Sequence, residues 1–136
     1  MKSIKQKDIT RAWHLLDAKN KTLGRISTEI AMHLMGKNKA IYSPNLDTGD
    51  NVIVVNSVKV VLSGKKEDQK KYYRHSGYPG GLYSRTASQL RKEKPNDLIR
   101  NAVYGMLPKT KMGKIMLKKL HVYENEEHPY KNKINK

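Results

Sequence analysis

Trp13-His14-Leu15-Leu16-Asp17, then Thr22-Leu23-Gly24-Arg25, then Ile26, Ile30 and Leu34 is the stretch that decides the fold class. Residues 13–17 read as a short strand. Thr22 is a residue type that caps helices. Leu23, Ile26, Ile30 and Leu34 recur at intervals of three, four and four, which places them on one helical face running to about Met35. Gly36 suits the left-handed residue that ends such a helix. A strand followed by a capped helix opens a βαβ unit. The next apolar run, Val52-Ile53-Val54-Val55, is unbroken, as a strand covered on both faces of a parallel sheet requires.

Outward from this unit, residues 37–50 form a loop with Pro44 and Gly49, and Val58–Leu62 reads as a further short strand. Residues 64–71 are a polar, basic connection. Tyr72–His75 and Leu82–Thr86 read as extended arms around Gly77-Tyr78-Pro79-Gly80-Gly81, a turn-rich tip that predicts a hairpin or long ordered loop. Thr86 or Ser88 starts a short helix ending near Lys94. Pro95 opens the next, whose stripe is Leu98, Ile99, Ala102, Val103 and Met106, stopped by Gly105 and Pro108. A helix over 111–118 and a strand over 120–123 follow. With no repeat and no linker between cores, residues 1–136 make one α/β domain. Its strands are mostly parallel, with helices flanking and polar extensions at 1–11 and 124–136.

Composition narrows the function. The 136 residues hold 28 Lys+Arg against 12 Asp+Glu, a net charge of +16, with no Cys and no Phe. Twelve Leu, nine Ile and eight Val predict a small core with wide polar flanks, partly ordered by a partner. Without cysteine there is no disulfide framework, thiolate zinc site or cysteine nucleophile. No apolar run approaches the ~20 residues of a membrane span, and residues 1–11 lack the apolar core of a secretory signal. The expectation is an intracellular protein with a polyanionic partner.

The charge is uneven. Residues 85–119 carry ten basic and two acidic residues, half of the whole excess, while residues 31–56 and 120–136 are balanced. Membrane-surface binding favours Leu, Phe or Trp opposite the basic face, and this chain has one Trp. Nucleic acid fits better.

Several candidate motifs fail on their own chemistry. Asp47-Thr48-Gly49 matches the short aspartic-protease motif, but that chemistry needs two aspartates sharing a proton. An acidic turn before the buried strand is the better reading. Ser63-Gly64-Lys65-Lys66 resembles the end of a phosphate loop, yet Lys59 stands where the first Gly is required and no Ser or Thr follows Lys65. His14, His33, His75, His121 and His128 include no close metal-binding pair. His14 and His121 read as packing residues, and His33 has Glu29 one helical turn back. His75 divides between a structural role and a contact to phosphate or base.

The basic motifs hold up better. Arg25 in a first helical turn opposes the helix dipole, so helix stability does not explain it. It either joins the helix amides in an anion site or pairs with Asp17 or Glu29. Tyr72, Tyr73, Tyr78 and Tyr83 offer rings and hydroxyls to RNA beside Arg74, His75 and backbone-exposing glycines. Part of that set must also cover the core. Lys111, Lys114 and Lys118 share one helical face, with Met112, Ile115 and Met116 expected to turn away from it. The expected RNA-binding set is Arg25, Lys37, Lys39, Lys65, Lys66, Lys70, Lys71, Tyr73, Arg74, His75, Tyr78, Arg85, Lys109, Lys111, Lys114, Lys118 and Lys119. No cofactor, metal or small-molecule substrate is implied.

In chain order, Trp13–Ala18, Thr22–Arg25, Tyr42-Ser43-Pro44, Asp47–Asp50, Val52–Asn56, Tyr72–Gly81, Ala102–Lys109, Leu120–Tyr123 and His128-Pro129 form a series. Together they resemble the family of the thirteenth protein of the bacterial large ribosomal subunit, over nearly the whole chain. The resemblance implies a three-layer α/β/α fold with a small parallel sheet. It also implies binding to large-subunit ribosomal RNA and neighbouring ribosomal proteins, a part in early subunit assembly, a cytoplasmic (or organellar) ribosome as location, and no enzymatic activity. Lys114 stands where that family usually has Arg, Tyr104 where Lys is common and Tyr130 where His is frequent. The competing readings are a small nucleotide-dependent enzyme, from the strand–Thr-x-Gly-Arg–helix start, and a general DNA-binding module.

Overall fold

A computed structural model describes residues 4–134. Strand β1 (Trp13–Asp17) leads into helix α1 (Leu23–Met35) and returns as β2 (Asn51–Val55). Gly36 takes φ +76° and closes α1, its N–H bonded to the Met32 carbonyl. Thr22 occupies the extended cap position of α1 without a side-chain cap bond. β2 pairs in parallel with β1 on one side and with β5 (Leu120–Val122) on the other. The unbroken Val52–Val55 run is therefore central, and all four residues are buried.

Parity along these strands separates two faces. Val52, Val54, Leu120 and Val122 turn towards Ile26, Ile30 and Leu34 of α1 and Leu98, Ile99 and Val103 of α4 (Pro95–Met106). These residues make the core. Ile53 alternates to the other face with Leu15 and His121, its partners in register. The cover on that side is thin: the short helix α6 (Lys131–Ile134) and an aromatic cluster. Tyr130 stacks on Trp13 with centroids 4.9 Å apart, and Trp13 stacks on His121 at 5.7 Å. Leu15 stays 45% exposed. The polar C-terminal tail is thus held to the sheet through Tyr130; residues 1–3 and 135–136 of the two extensions lie outside the described residues.

The strand expected over Val58–Leu62 does not form. Asn56 adopts φ +58° and turns the chain into a 3₁₀ turn over Ser57–Lys59, leaving a single parallel bridge between Val61 and Thr22. The Asn56 amide donates to Asp17 at 2.9 Å, which ties this reversal to the end of β1. A short helix α2 (Lys66–Gln69) lies in the basic connection. Strands β3 (Lys71–His75) and β4 (Leu82–Thr86) form an antiparallel hairpin outside the main sheet. Thr86 then caps α3 (Ala87–Glu93) through a reciprocal bond pair with Gln89. Pro95 occupies the first turn of α4, where its missing N–H costs nothing. Helix α5 (Lys111–Leu117) completes the set.

Candidate nucleic-acid interface

The fold takes up part of its +16 charge in internal ion pairs. Lys119 is drawn inside. Its side chain is 12% exposed, with the ammonium 2.5 Å from Asp47 and 3.4 Å from the Leu34 carbonyl. Burial pulls its pKa down, against the opposing pull of Asp47. Lys39 lies 2.5 Å from Asp50 and donates to the Thr10 carbonyl. Arg91 makes a two-bond fork to Glu67 and also donates to the carbonyls of Val58 and Val60, fastening the 3₁₀ turn to α3. Arg11 braces the Asp47–Gly49 turn. Lys39 and Lys119 belong to the expected binding set, and the structure employs both internally.

The remaining basic members of that set are exposed. Arg25 has no acidic partner among the described residues, because Asp17 is taken by Asn56 and by the Lys19 N–H. These two bonds, the Asn56 one first, hold the Asp17 pKa below the ordinary carboxylate value. Beside Arg25, Gly24 lines a cleft with Thr22, Lys66, Lys70 and Asn101. The start of α1 and the basic connection, far apart in sequence, share this surface. Lys65, Lys66 and Lys70 flank an adjoining hollow, and Lys37, Lys71 and Lys109 are exposed elsewhere.

Along α5 and its C-cap residue Lys118, Lys111, Lys114 and Lys118 do share a solvent face, while Gly113 and Met116 are buried. Ile115 departs from expectation: it is 48% exposed and accompanies the lysines. In a helix of two turns, Met112, Met116 and Leu117 suffice to reach the core. Arg100 of α4 lines a shallow hollow with Lys114 and Lys118. The sequence hides this residue, because its neighbour on the surface lies on another helix.

The hairpin sorts the tyrosines. Cross-strand pairs are Tyr72 with Arg85, Arg74 with Tyr83, Tyr73 with Ser84 and His75 with Leu82. Strand parity therefore puts Tyr72, Arg74, Tyr83 and Arg85 on one face, a checkerboard of rings and guanidinium groups. Tyr73 lies on the other face. Opposite the checkerboard stand Leu90, Lys94, Asp97 and Asn101 of the α3–α4 corner, enclosing a groove of about 790 Å³. Tyr72 packs on the core edge, its hydroxyl buried without a partner and its pKa raised first by burial and then by Glu67. Arg85 pairs with Glu93 at the rim, where both are half exposed, so the bond is weak. At the tip, Tyr78 is 75% exposed, and His75 Nδ1 accepts the Gly77 N–H at 2.9 Å. That bond places the proton of a neutral ring on Nε2.

One titratable cluster lies apart. His14 meets Asp50 at 2.8 Å and stacks on His33 with centroids 4.2 Å apart and planes 26° from parallel. The donor atoms of the three lie within 4.8 Å of one another. The chemistry does not suit a cation. Asp50 is already neutralised by Lys39 and bonded to the Ala12 N–H, and His14 Nε2 is engaged with the same carboxylate. Burial would raise the Asp50 pKa, but bonds from Lys39, Ala12 and His14 outweigh it and hold the group ionised. His33 loses basicity to burial first and then to His14.

The model of the family described as ribosomal protein L13 matches residues 11–129. The large ribosomal subunit protein uL13 of Geobacter sulfurreducens is 56% identical over 129 residues, covering 95% of this chain and 90% of its own. That of Thermotoga maritima is 57% identical over 127 residues, covering 93% and 85%, and that of Nitrosococcus oceani is 52% identical over 128 residues, covering 94% and 90%. With the motifs in order from the Trp13 strand to His128-Pro129 and the family match running from before β1 to beyond β5, the chain belongs to the ribosomal protein L13 family.

Proposed function

We propose that the protein is a structural component of the large ribosomal subunit that binds large-subunit ribosomal RNA and joins its RNA segments early in assembly. The observation that carries this reading is the division of the cations. Internal pairs use Arg11, Lys39, Arg91 and Lys119, whereas Arg25, Lys66, Lys70, Arg74, Lys111, Lys114 and Lys118 face solvent without acidic partners among the described residues. Such a surface neutralises phosphates and releases their counterions. The basic groups lie on α1, α2, the hairpin, α4 and α5, so one rigid domain touches several RNA segments and acts as a wedge between them. Neighbouring ribosomal proteins meet the remaining surface.

Salt titration tests the reading. Affinity for folded large-subunit ribosomal RNA falls with a log–log slope of about −0.7 to −0.9 per phosphate contacted, and this RNA outcompetes duplex DNA at equal salt. Equal affinity for the two would favour a general DNA-binding module instead.

A further inference from the structure

We infer that the groove between the β3–β4 hairpin and the α3–α4 corner holds one unstacked nucleotide of the RNA, and so reads a single-stranded bulge or loop. This rests on the RNA-binding reading above and names what its hairpin recognises. Three features converge. The first is the checkerboard. Tyr72 forms a half-buried floor, and Tyr83, 63% exposed, stands beside it as a ring with an open face. A base with both faces free is the partner that such rings stack.

The second is the charge layout. Arg74 lies across from Tyr83 in register, with Lys94 on the opposite wall. Both are exposed cations without an acidic partner among the described residues, placed to take the phosphates on either side of an inserted nucleotide.

The third is what a purely phosphate-binding groove would exclude. Asp97 and Asn101, one helical turn apart on α4, line the same space. A carboxylate repels phosphate, but it accepts from the N–H groups of a base edge, and an amide both donates and accepts. Duplex RNA presents its phosphates and 2′-hydroxyls to a protein and withholds its Watson–Crick edges; an unpaired base brings the additional edge N–H groups that Asp97 can accept from. The volume of about 790 Å³ lies within the ~300–1,000 Å³ of sites that enclose small ligands, so a base and its sugar can enter.

The test uses the full chain bound to full-length bacterial large-subunit ribosomal RNA. Base-edge and backbone reagents are read at single-nucleotide resolution, and affinity is measured in parallel. The wild type is expected to protect the edge of one unpaired base. Tyr83→Ala should expose that base again and weaken binding about 5- to 100-fold, while Tyr83→Phe, which keeps the ring, retains protection. Asp97→Asn should expose the base edge with the flanking backbone still covered. If the RNA binds with the expected salt slope but these variants alter only the backbone of a duplex segment, the inference is overturned and the RNA-binding reading stands. If the wild type shows no salt-dependent binding, both fall.

Discussion

The Lys119 ammonium lies 2.5 Å from the Asp47 carboxylate, a pair 72 positions apart in sequence that pins the end of α5 to the turn before β2. Both side chains are 12% exposed, and Arg11 approaches the same carboxylate at 3.5 Å. Removing one partner leaves the other charge poorly solvated. Lys119→Ala is expected to cost about 2 kcal/mol of stability, below the ~3–5 of a fully buried pair because Arg11 remains. Urea denaturation measures this. The salt slope of RNA binding should not change; a slope flatter by one unit would make Lys119 an RNA contact after all.

The α5 face behaves in the opposite way. Lys111→Ala, Lys114→Ala and Lys118→Ala together should leave stability within about 0.5 kcal/mol per site and flatten the salt slope by roughly 2–3 units. An unaltered slope takes this face out of the RNA site.

Arg25 has neither Asp17 nor Glu29 as an ion-pair partner, so Arg25→Ala should weaken RNA binding with no loss of helix content by circular dichroism. A fall in thermal stability without a change in affinity would show that its role lies within the fold.

Two glycines on neighbouring helices should answer alanine with opposite signs. A Cβ at Gly113 would meet the Pro108 carbonyl oxygen at 1.8 Å, so Gly113→Ala is expected to destabilise by about 2 kcal/mol or more. Around Gly105 in α4 there is open space, and Gly105→Ala should stabilise by roughly 0.5–1 kcal/mol. Matched thermal melts of the two variants decide it.

His33 and His121 have pKa values lowered chiefly by burial, with His14 adding to the first and Arg100 to the second. Glu29 and Asp50 oppose the shift at His33. A histidine less basic when folded binds fewer protons than the unfolded chain, so stability is greatest above the unfolded value of about 6.5 and falls as pH drops through it. Asp17 and Asp50 add a second loss at lower pH, as the carboxylates held ionised by the fold become protonated. Denaturation midpoints between pH 7.5 and 5 should decline for the wild type and less steeply for His33→Gln. Parallel profiles would mean that His33 is not a source of the slope.

Legible in the chain alone were the βαβ start, the glycine that closes α1, the proline that opens α4, and the crowding of cations into residues 85–119. These are local matters, fixed by side-chain period, cap chemistry and backbone freedom within a few residues. Asn56 was not legible there, since a left-handed residue that ends a strand shows in the pattern only when its partner Asp17 is in place. The site divided along the same line. The expected set holds Tyr73 and Tyr78, yet the hairpin register brings Tyr72 and Tyr83 together on one face with Arg74 and Arg85. Which cations are free was likewise a tertiary decision. Lys119 and Lys118 are adjacent in sequence, yet one is spent on Asp47 and the other faces solvent beside Arg100, because ion pairing depends on what the folded sheet brings within 4 Å.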